Sequence, residues 1–429
     1  MSPTIRRALL ACAVLAAVLV APGVARADVI GDWNLIAQQQ TIPLRPTAHG
    51  ESRGMAMVEG AVYDAVNAID GGYAPYLVDP RAIGAQPWFS QDAAAATAAH
   101  DVLVVIAPAQ KATIDGLYAT SMAGITDAFK AQGAAVGAAA AQAMLAFRQN
   151  DGFLAAFDFS LVIAPGAGNW RPVTPAATDP DAWVGNEKPF LIESPDQFRS
   201  GGPDKLTSGR YTKDFNEVKE VGALASTTRT ADQTAAAVFW QFPPIALWNG
   251  VARSLAGGLD TADQARLYAM INLAAADGAI SCWNDKWQWH FWRPMAAIRE
   301  ADTDGNPFTA ADPGWEPLFS AATQTTPPLS TPPFPDHPSG HGCVSGATVN
   351  AFQDFFGTDK MSFDVVGGRT LNGTTIPPRH FDRFSASLDE VIDARVWGGI
   401  HFRTADVEGA VIGKNVAKWM RKHYFEPVR

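Results

Sequence analysis

An all-α fold is the prediction, and three observations carry it. Apolar residues recur at helical spacing, helix-capping signatures precede several of these runs, and strand signals are sparse. In MAMVEGAVYDAVNAID, Met55, Val58, Val62, Val66 and Ile69 lie three or four residues apart and form one apolar stripe. Further helices are predicted across residues 90–106 and 131–148. The tetrapeptide TADQ occurs at 230–233 and again at 261–264. In each, Thr reads as a helix cap whose hydroxyl accepts a free amide while Gln reaches back to the cap. The helices that follow carry Val238, Phe239 and Trp240, then Leu267, Met270, Ile271 and Ala274. The strand exception is LNGTTIP, which reads as one hairpin with Asn372-Gly373 at its turn.

The chain has 429 residues, of which 47% are hydrophobic and 18% charged, enough for a large core. Its net charge is −10, and the first 27 residues hold three arginines and no acid, so residues 28–429 carry −13. That balance excludes nucleic acid and anionic membrane surfaces as general partners, while a local cationic pocket for a small anion stays compatible with it. The opening MSPTIRRALLACAVLAAVLVAPGVARADVI has a basic start, an apolar run and ARA before Asp28. It reads as a signal peptide over residues 1–27, with a secreted or periplasmic destination. Arg6-Arg7 admits a twin-arginine route and Cys12 a lipoprotein, but the flanking residues favour an ordinary signal. No later segment reads as a membrane span. Residues 28–429 are expected to form a single helical domain with long ordered loops. The Pro-rich stretch TTPPLSTPPFPDHP invites a linker reading, but the residues that follow it carry chemistry.

Three segments hold that chemistry. WNDKWQWHFWRPMAAIR places Lys286 and Arg293 seven apart among four tryptophans, and two helical turns point both the same way until Pro294 ends or kinks the helix. Cations at that spacing usually make a solvated face, which the tryptophans disfavour. In PFPDHPSGHGCVSGATVNAF, Ser339-Gly340-His341 opens an apolar helix, whose free amides form an anion site. His341 can move protons near neutral pH. The plainer reading is a cap followed by an incidental histidine. In DARVWGGIHFRTADVEG, Gly398-Gly399 offers the break that brings Arg395 and His401 to one point. Together the segments supply three cations, a hydroxyl, an amide nest and two histidines, a set suited to a tetrahedral oxyanion.

K-x6-R-P at 286–294, P-S-G-H at 338–341 and R-x5-H at 395–401 resemble, in order and spacing, the vanadium-dependent haloperoxidase and type-2 phosphatidic acid phosphatase superfamily. Residues from about 50 onward are similar in style to the haloperoxidase branch. The resemblance implies two four-helix bundles and vanadate as cofactor, with hydrogen peroxide and halide as partners. It assigns Lys286, Arg293, Ser339, Gly340 and Arg395 to the oxyanion, and makes His401 the ligand to vanadium. His341 becomes the acid–base residue, and Lys286 also polarises peroxide. Trp283 and Phe334 resemble the apolar halide-side wall of fungal chloroperoxidase. In a phosphatase acting on a phosphate ester, His401 would attack phosphorus and His341 would protonate the leaving group.

The chain also departs from the pattern. Ala394 stands where Ser is usual, and after His401 the next acid, Asp406, comes one residue late, leaving Asp406, Glu408 or another acid to steady the histidine. Asp285 and His337 have no assigned role. Cys282 and Cys343 flank converging motifs, so they either pair as a disulfide or remain two buried thiols. The leading expectation is an exported vanadate-dependent haloperoxidase. The alternatives are a secreted acid phosphatase using the same pocket and an oxyanion-binding protein without catalysis.

Overall fold

The computed structural model describes residues 28–41, 48–161, 164–172 and 178–428. The signal peptide expected over residues 1–27 lies outside them. The N-terminal helices are α1 (Val29–Thr41), α2 (Ala48–Asp70), α3 (Gln91–Ile106), α4 (Lys111–Gly124) and α5 (Lys130–Phe147). After a long irregular segment come α6 (Gly209–Val221), α7 (Ala231–Phe239), α8 (Pro244–Leu255), α9 (Thr261–Trp289) and α10 (Pro294–Arg299). The last helices are α11 (Gly340–Phe356), α12 (Phe384–Trp397) and α13 (Arg403–His423). The fold is mostly helical, as expected.

The predicted stripe of α2, from Met55 to Ile69, is buried throughout. The helices expected at 90–106 and 131–148 are α3, capped by Ser90, and α5. Thr230 and Gln233 form the predicted capping box. The second TADQ does not. There Asp260 is the cap, accepting from the Asp263 amide at 2.8 Å, and Thr261 is the first helical residue. A carboxylate one position upstream takes the free amide, which leaves Thr nothing to cap.

α9 is the central helix. Every residue from Leu267 to Trp283 is buried, because α2, α8, α11 and α13 all pack against it. Two of its interior polar residues are satisfied by other segments: Asn272 pairs with Asn249, and Asp277 accepts the amides of Phe190, Leu191 and Ile192 at 2.7–2.9 Å. α1, α2, α3 and α5 pack together, and α11, α12 and α13 pack together beside α9. One apolar core joins both groups, from Val29 to Phe425.

Strands are few and short. β1 (Thr325–Thr326), β3 (Thr370–Leu371) and β4 (Thr374–Thr375) form one antiparallel sheet, and β2 (Lys360–Val365) pairs with β5 (Arg379–Arg383). The predicted hairpin is β3–β4, with Asn372 and Gly373 both at positive φ.

Backbone sets the distance between α11 and α13. A Cβ on Gly346 or Gly409 would lie 2.7 Å from a backbone oxygen of the opposite helix, and one on Gly413 2.2 Å from Cys343 O. The Ser339 amide donates to Ala405 O at 2.8 Å, so the starts of the two helices are tied together. The membrane expectation stands in this form: no single helix among the described residues is long and apolar enough to cross a bilayer. Residues 91–106 and 108–124 together reach that length, but only across a 115° bend.

Cys282 and Cys343 are buried free thiols, so the disulfide between them is not formed. The Cys282 thiol instead donates to Pro338 O at 3.6 Å.

Candidate active site

Lys286 and Arg293 do not share a helix as expected. α9 stops at Trp289, His290 takes a left-handed cap conformation (φ 34°), and residues 290–292 pair with Gly168–Trp170. Arg293 then caps α10, with Pro294 in the first position, where its missing N–H costs nothing. The two cations still converge, because both reach the Pro-rich segment. That segment is an ordered wall and not a linker. Prolines contribute carbonyls but no N–H, so the loop has acceptors to spare. The Lys286 ammonium takes three of them: Pro335 O at 2.9 Å, Asp336 O at 3.1 Å and Pro338 O. Its three hydrogens are therefore all placed. Arg293 donates through Nε to Phe334 O and through Nη1 to Ile400 O, both at 2.8 Å.

Arg293 Nη1 also lies 3.0 Å from His401 Nε2. His401 Nδ1 is 2.8 Å from Asp336 Oδ1 and 3.4 Å from the same Arg293 Nη1, with all three residues buried. Asp336 is thus the acid beside His401. Asp406, the nearest acid downstream, instead lies buried near Arg395 and the Ser339 hydroxyl. Gly399, at φ +74°, makes the predicted break between Arg395 on α12 and His401 ahead of α13. Arg395 Nη1 donates to Gln241 Oε1 at 2.6 Å and Trp240 O at 3.5 Å. Ser339 caps α11 by accepting from the Gly342 amide, and its hydroxyl faces the Asp406 carboxyl.

The aromatic wall is present. The Trp283 and Phe334 ring centroids are 5.0 Å apart, and the Lys286 ammonium sits 5.4 and 5.2 Å from them. Gly340 is required beneath it, since a Cβ there would lie 2.8 Å from the Trp283 ring. Asp179 holds the Trp283 indole N–H at 2.9 Å, and His49 packs edge-on against the same ring at 4.0 Å. His337, unassigned from sequence, faces Ser200 Oγ at 2.9 Å, and Asp285 accepts the Ser200 amide.

Electrostatically the pocket is short of negative charge. Among Lys286, Arg293 and Arg395, only Arg293 has a carboxylate within ion-pair reach, Asp336 at 4.0 Å. Burial and the charges of Arg293, Lys286 and Arg395 push the His401 pKa far down, and burial, Arg395 and Arg369 do the same to His341. Both histidines are held neutral. Burial raises Asp336 to about 7 against the pull of Arg293 and Lys286. Arg293 Nη2, Arg395 Nε and His341 Nε2 are buried atoms without hydrogen-bond partners. Unpaired buried donors beside free helix-start amides fit a tetrahedral oxyanion, so the residues present suit vanadate or phosphate.

Sequence reasoning placed every motif residue in this cluster but missed Asp336, Gln241, Asp179 and His49. Asp336 had a readable signal, an acid inside the very motif that supplies His341. The other three come from distant segments with no local pattern.

A mostly helical bundle with a cationic, carboxylate-poor oxyanion cradle defines the class. Residues 266–429 match the family model of the VCPO second helical-bundle domain. Vanadium chloroperoxidase of Curvularia inaequalis is 28% identical over 273 residues, half of this chain and 44% of that protein. The match therefore spans less than half the length of that relative. The fold is similar to that of the first bacterial vanadium-dependent iodoperoxidase, with a TM-score of 0.70, 24% identity and coverage of 93% of this chain and 96% of that one. It is also similar to a holo-type bacterial vanadium-dependent chloroperoxidase, with a TM-score of 0.67, 16% identity and coverage of 86% and 90%. The chain is a relative of the vanadium haloperoxidases, as its motifs led us to expect.

Proposed function

We propose that this chain is an exported vanadate-dependent haloperoxidase that oxidises halide with hydrogen peroxide, with residues 28–429 acting as one domain. The carrying observation is the cradle: Lys286, Arg293 and Arg395 buried around a neutral His401, with unpaired donors left over. Vanadate, when bound, supplies the Lewis-acid centre that activates peroxide toward halide. His401 would offer the Nε2 lone pair, which faces Arg293 Nη1, while Asp336 lies against Nδ1. Arg293, Arg395 and the Gly340 amide orient the oxyanion. Lys286 adds fixed charge from beneath. His341 accepts a proton and returns it. Trp283 and Phe334 exclude water and present an apolar, polarisable wall beside Lys286. The apolar opening MSPTIRRALLACAVLAAVLV supports export. Vanadate-loaded protein should halogenate a phenolic acceptor with peroxide and bromide or iodide. No turnover with any halide would end this reading.

A secreted acid phosphatase is the second reading. Lys286 favours it, because an ammonium bonded to three carbonyls is a static charge with no hydrogen left for peroxide. Hydrolysis of an aryl phosphate by metal-free protein, inhibited by vanadate, would establish it.

A further inference from the structure

Arg369 belongs to none of the three motifs, yet it is a fourth buried cation beside the cradle. It lies on the loop between β2 and β3, only 8% exposed. The loop is pressed onto the Phe239–Phe242 segment: a Cβ on Gly367 would lie 2.8 Å from the Phe239 ring, and one on Gly368 2.9 Å from the Phe242 ring. That same segment anchors Arg395 through Gln241 and Trp240. Arg369 and Arg395 thus flank one stretch of chain, and the charges of both act on His341.

The Arg369 side chain is fixed but not neutralised. Nη1 donates to Pro327 O at 2.8 Å, and its backbone carbonyl accepts from Ile376 at 3.0 Å. Nε is buried with no partner, and no described carboxylate comes within ion-pair distance of the guanidinium. Burying a guanidinium without a counter-charge is costly unless a ligand supplies one. The vanadate or phosphate cradle already has three cations, so the fourth is surplus to it.

We propose that Arg369 holds a small monovalent anion at a subsite beside His341, outside the oxyanion cradle, and that this anion is halide. The halide identity rests on the haloperoxidase reading; the subsite itself does not. The buried, unpaired Nε of Arg369, on a loop whose Gly368 packs against the Phe242 ring, suits a soft single charge. It offers neither the amide nest nor the cation count that a multiply charged oxyanion needs. The other source of the same chemistry is the carboxylate of an organic acceptor.

The test uses the whole protein with its cradle saturated by phosphate, and reads bromide binding from excess line broadening in bromine NMR. Arg369→Met should weaken bromide binding by about 10-fold or more, the size of a lost charge-assisted hydrogen bond. Arg369→Lys should retain part of it. Phosphate affinity, measured by calorimetry, should change less than about 2-fold, which also reports that the variant is folded. Unchanged bromide binding in Arg369→Met overturns the proposal, and so does loss of phosphate binding in a folded variant, which would put Arg369 in the cradle. If benzoate binding depends on Arg369 and bromide binding does not, the halide assignment is overturned. Arg369-dependent bromide binding in a protein that never oxidises bromide would support the subsite and count against the haloperoxidase. Normal bromide oxidation with unchanged binding in Arg369→Met would do the reverse.

Discussion

Asp336 Oδ1 lies 2.8 Å from His401 Nδ1, and the pair is sealed from solvent. The carboxylate comes from the loop ahead of α11, so the residue that steadies one motif histidine arrives with the other. Asp336→Ala should weaken vanadate binding roughly 10- to 100-fold, the usual cost of losing a ligand's supporting partner, with a smaller effect for Asp336→Asn. Nitrogen NMR of labelled histidine should show the proton on Nδ1 of His401 in the native protein. Wild-type affinity in Asp336→Ala would remove this role.

His401 and His341 should separate by what they bind. His401→Ala should abolish tight vanadate binding, whereas His341→Ala should keep much of it while slowing turnover and altering its pH profile. Equilibrium titrations of the two variants decide the matter. The opposite pattern would exchange their roles.

Glu59 predicts a pH dependence of stability. Burial raises its pKa from 4.5 to about 8, against a hydrogen bond from Asn34 and the charge of Arg253. The folded protein keeps a proton there that the unfolded chain releases. Its contribution is therefore complete below about pH 4.5 and is lost as pH rises toward 8, at up to about 1.4 kcal/mol per unit. Glu59→Gln should melt higher than wild type at pH 8 and close to it at pH 5. Parallel melting curves for the two proteins would show that Glu59 is ionised in the fold.

Gly413→Ala should destabilise by about 3 kcal/mol or more, because the new Cβ would meet α11 backbone at 2.2 Å (Cys343 O) and 2.3 Å (Ala347 N). The contrasting control is Gly116→Ala on α4, with nothing within 4 Å, which should stabilise by about 0.5–1 kcal/mol. Denaturant unfolding of both variants checks the pair.

Cys282 and Cys343 should remain unlabelled by maleimide in the native protein and should both react after denaturation without reductant. A mass two hydrogens lighter, with no labelling, would reveal a disulfide.

The legible parts of the sequence were those whose signal is local. The α2 stripe needs only its own periodicity, and the Thr230 cap needs only Gln233. The three motifs could be read because each carries its cation or histidine beside a helix start or break. Asp336 went unassigned because the acid was sought downstream of His401, while the fold delivers it from the Pro-rich loop. The end of α9 was misplaced for a related reason. Pro294 signals a break, but the chain had already turned at His290, held there by backbone pairing with residues 168–170 that no local pattern announces.

The three carbonyls around Lys286 make that residue a keystone as well as a charge. Phe334, which forms half of the aromatic wall, and Asp336, which lies against His401, belong to one short arch that the Lys286 ammonium and Arg293 Nε hold together. Replacing Lys286 would slacken wall and brace together, so a kinetic defect in such a variant would measure the arch and not the cation alone. For the same reason the loop is a poor place for an insertion. Exchanges at Phe334 that leave its length alone are the tolerable route.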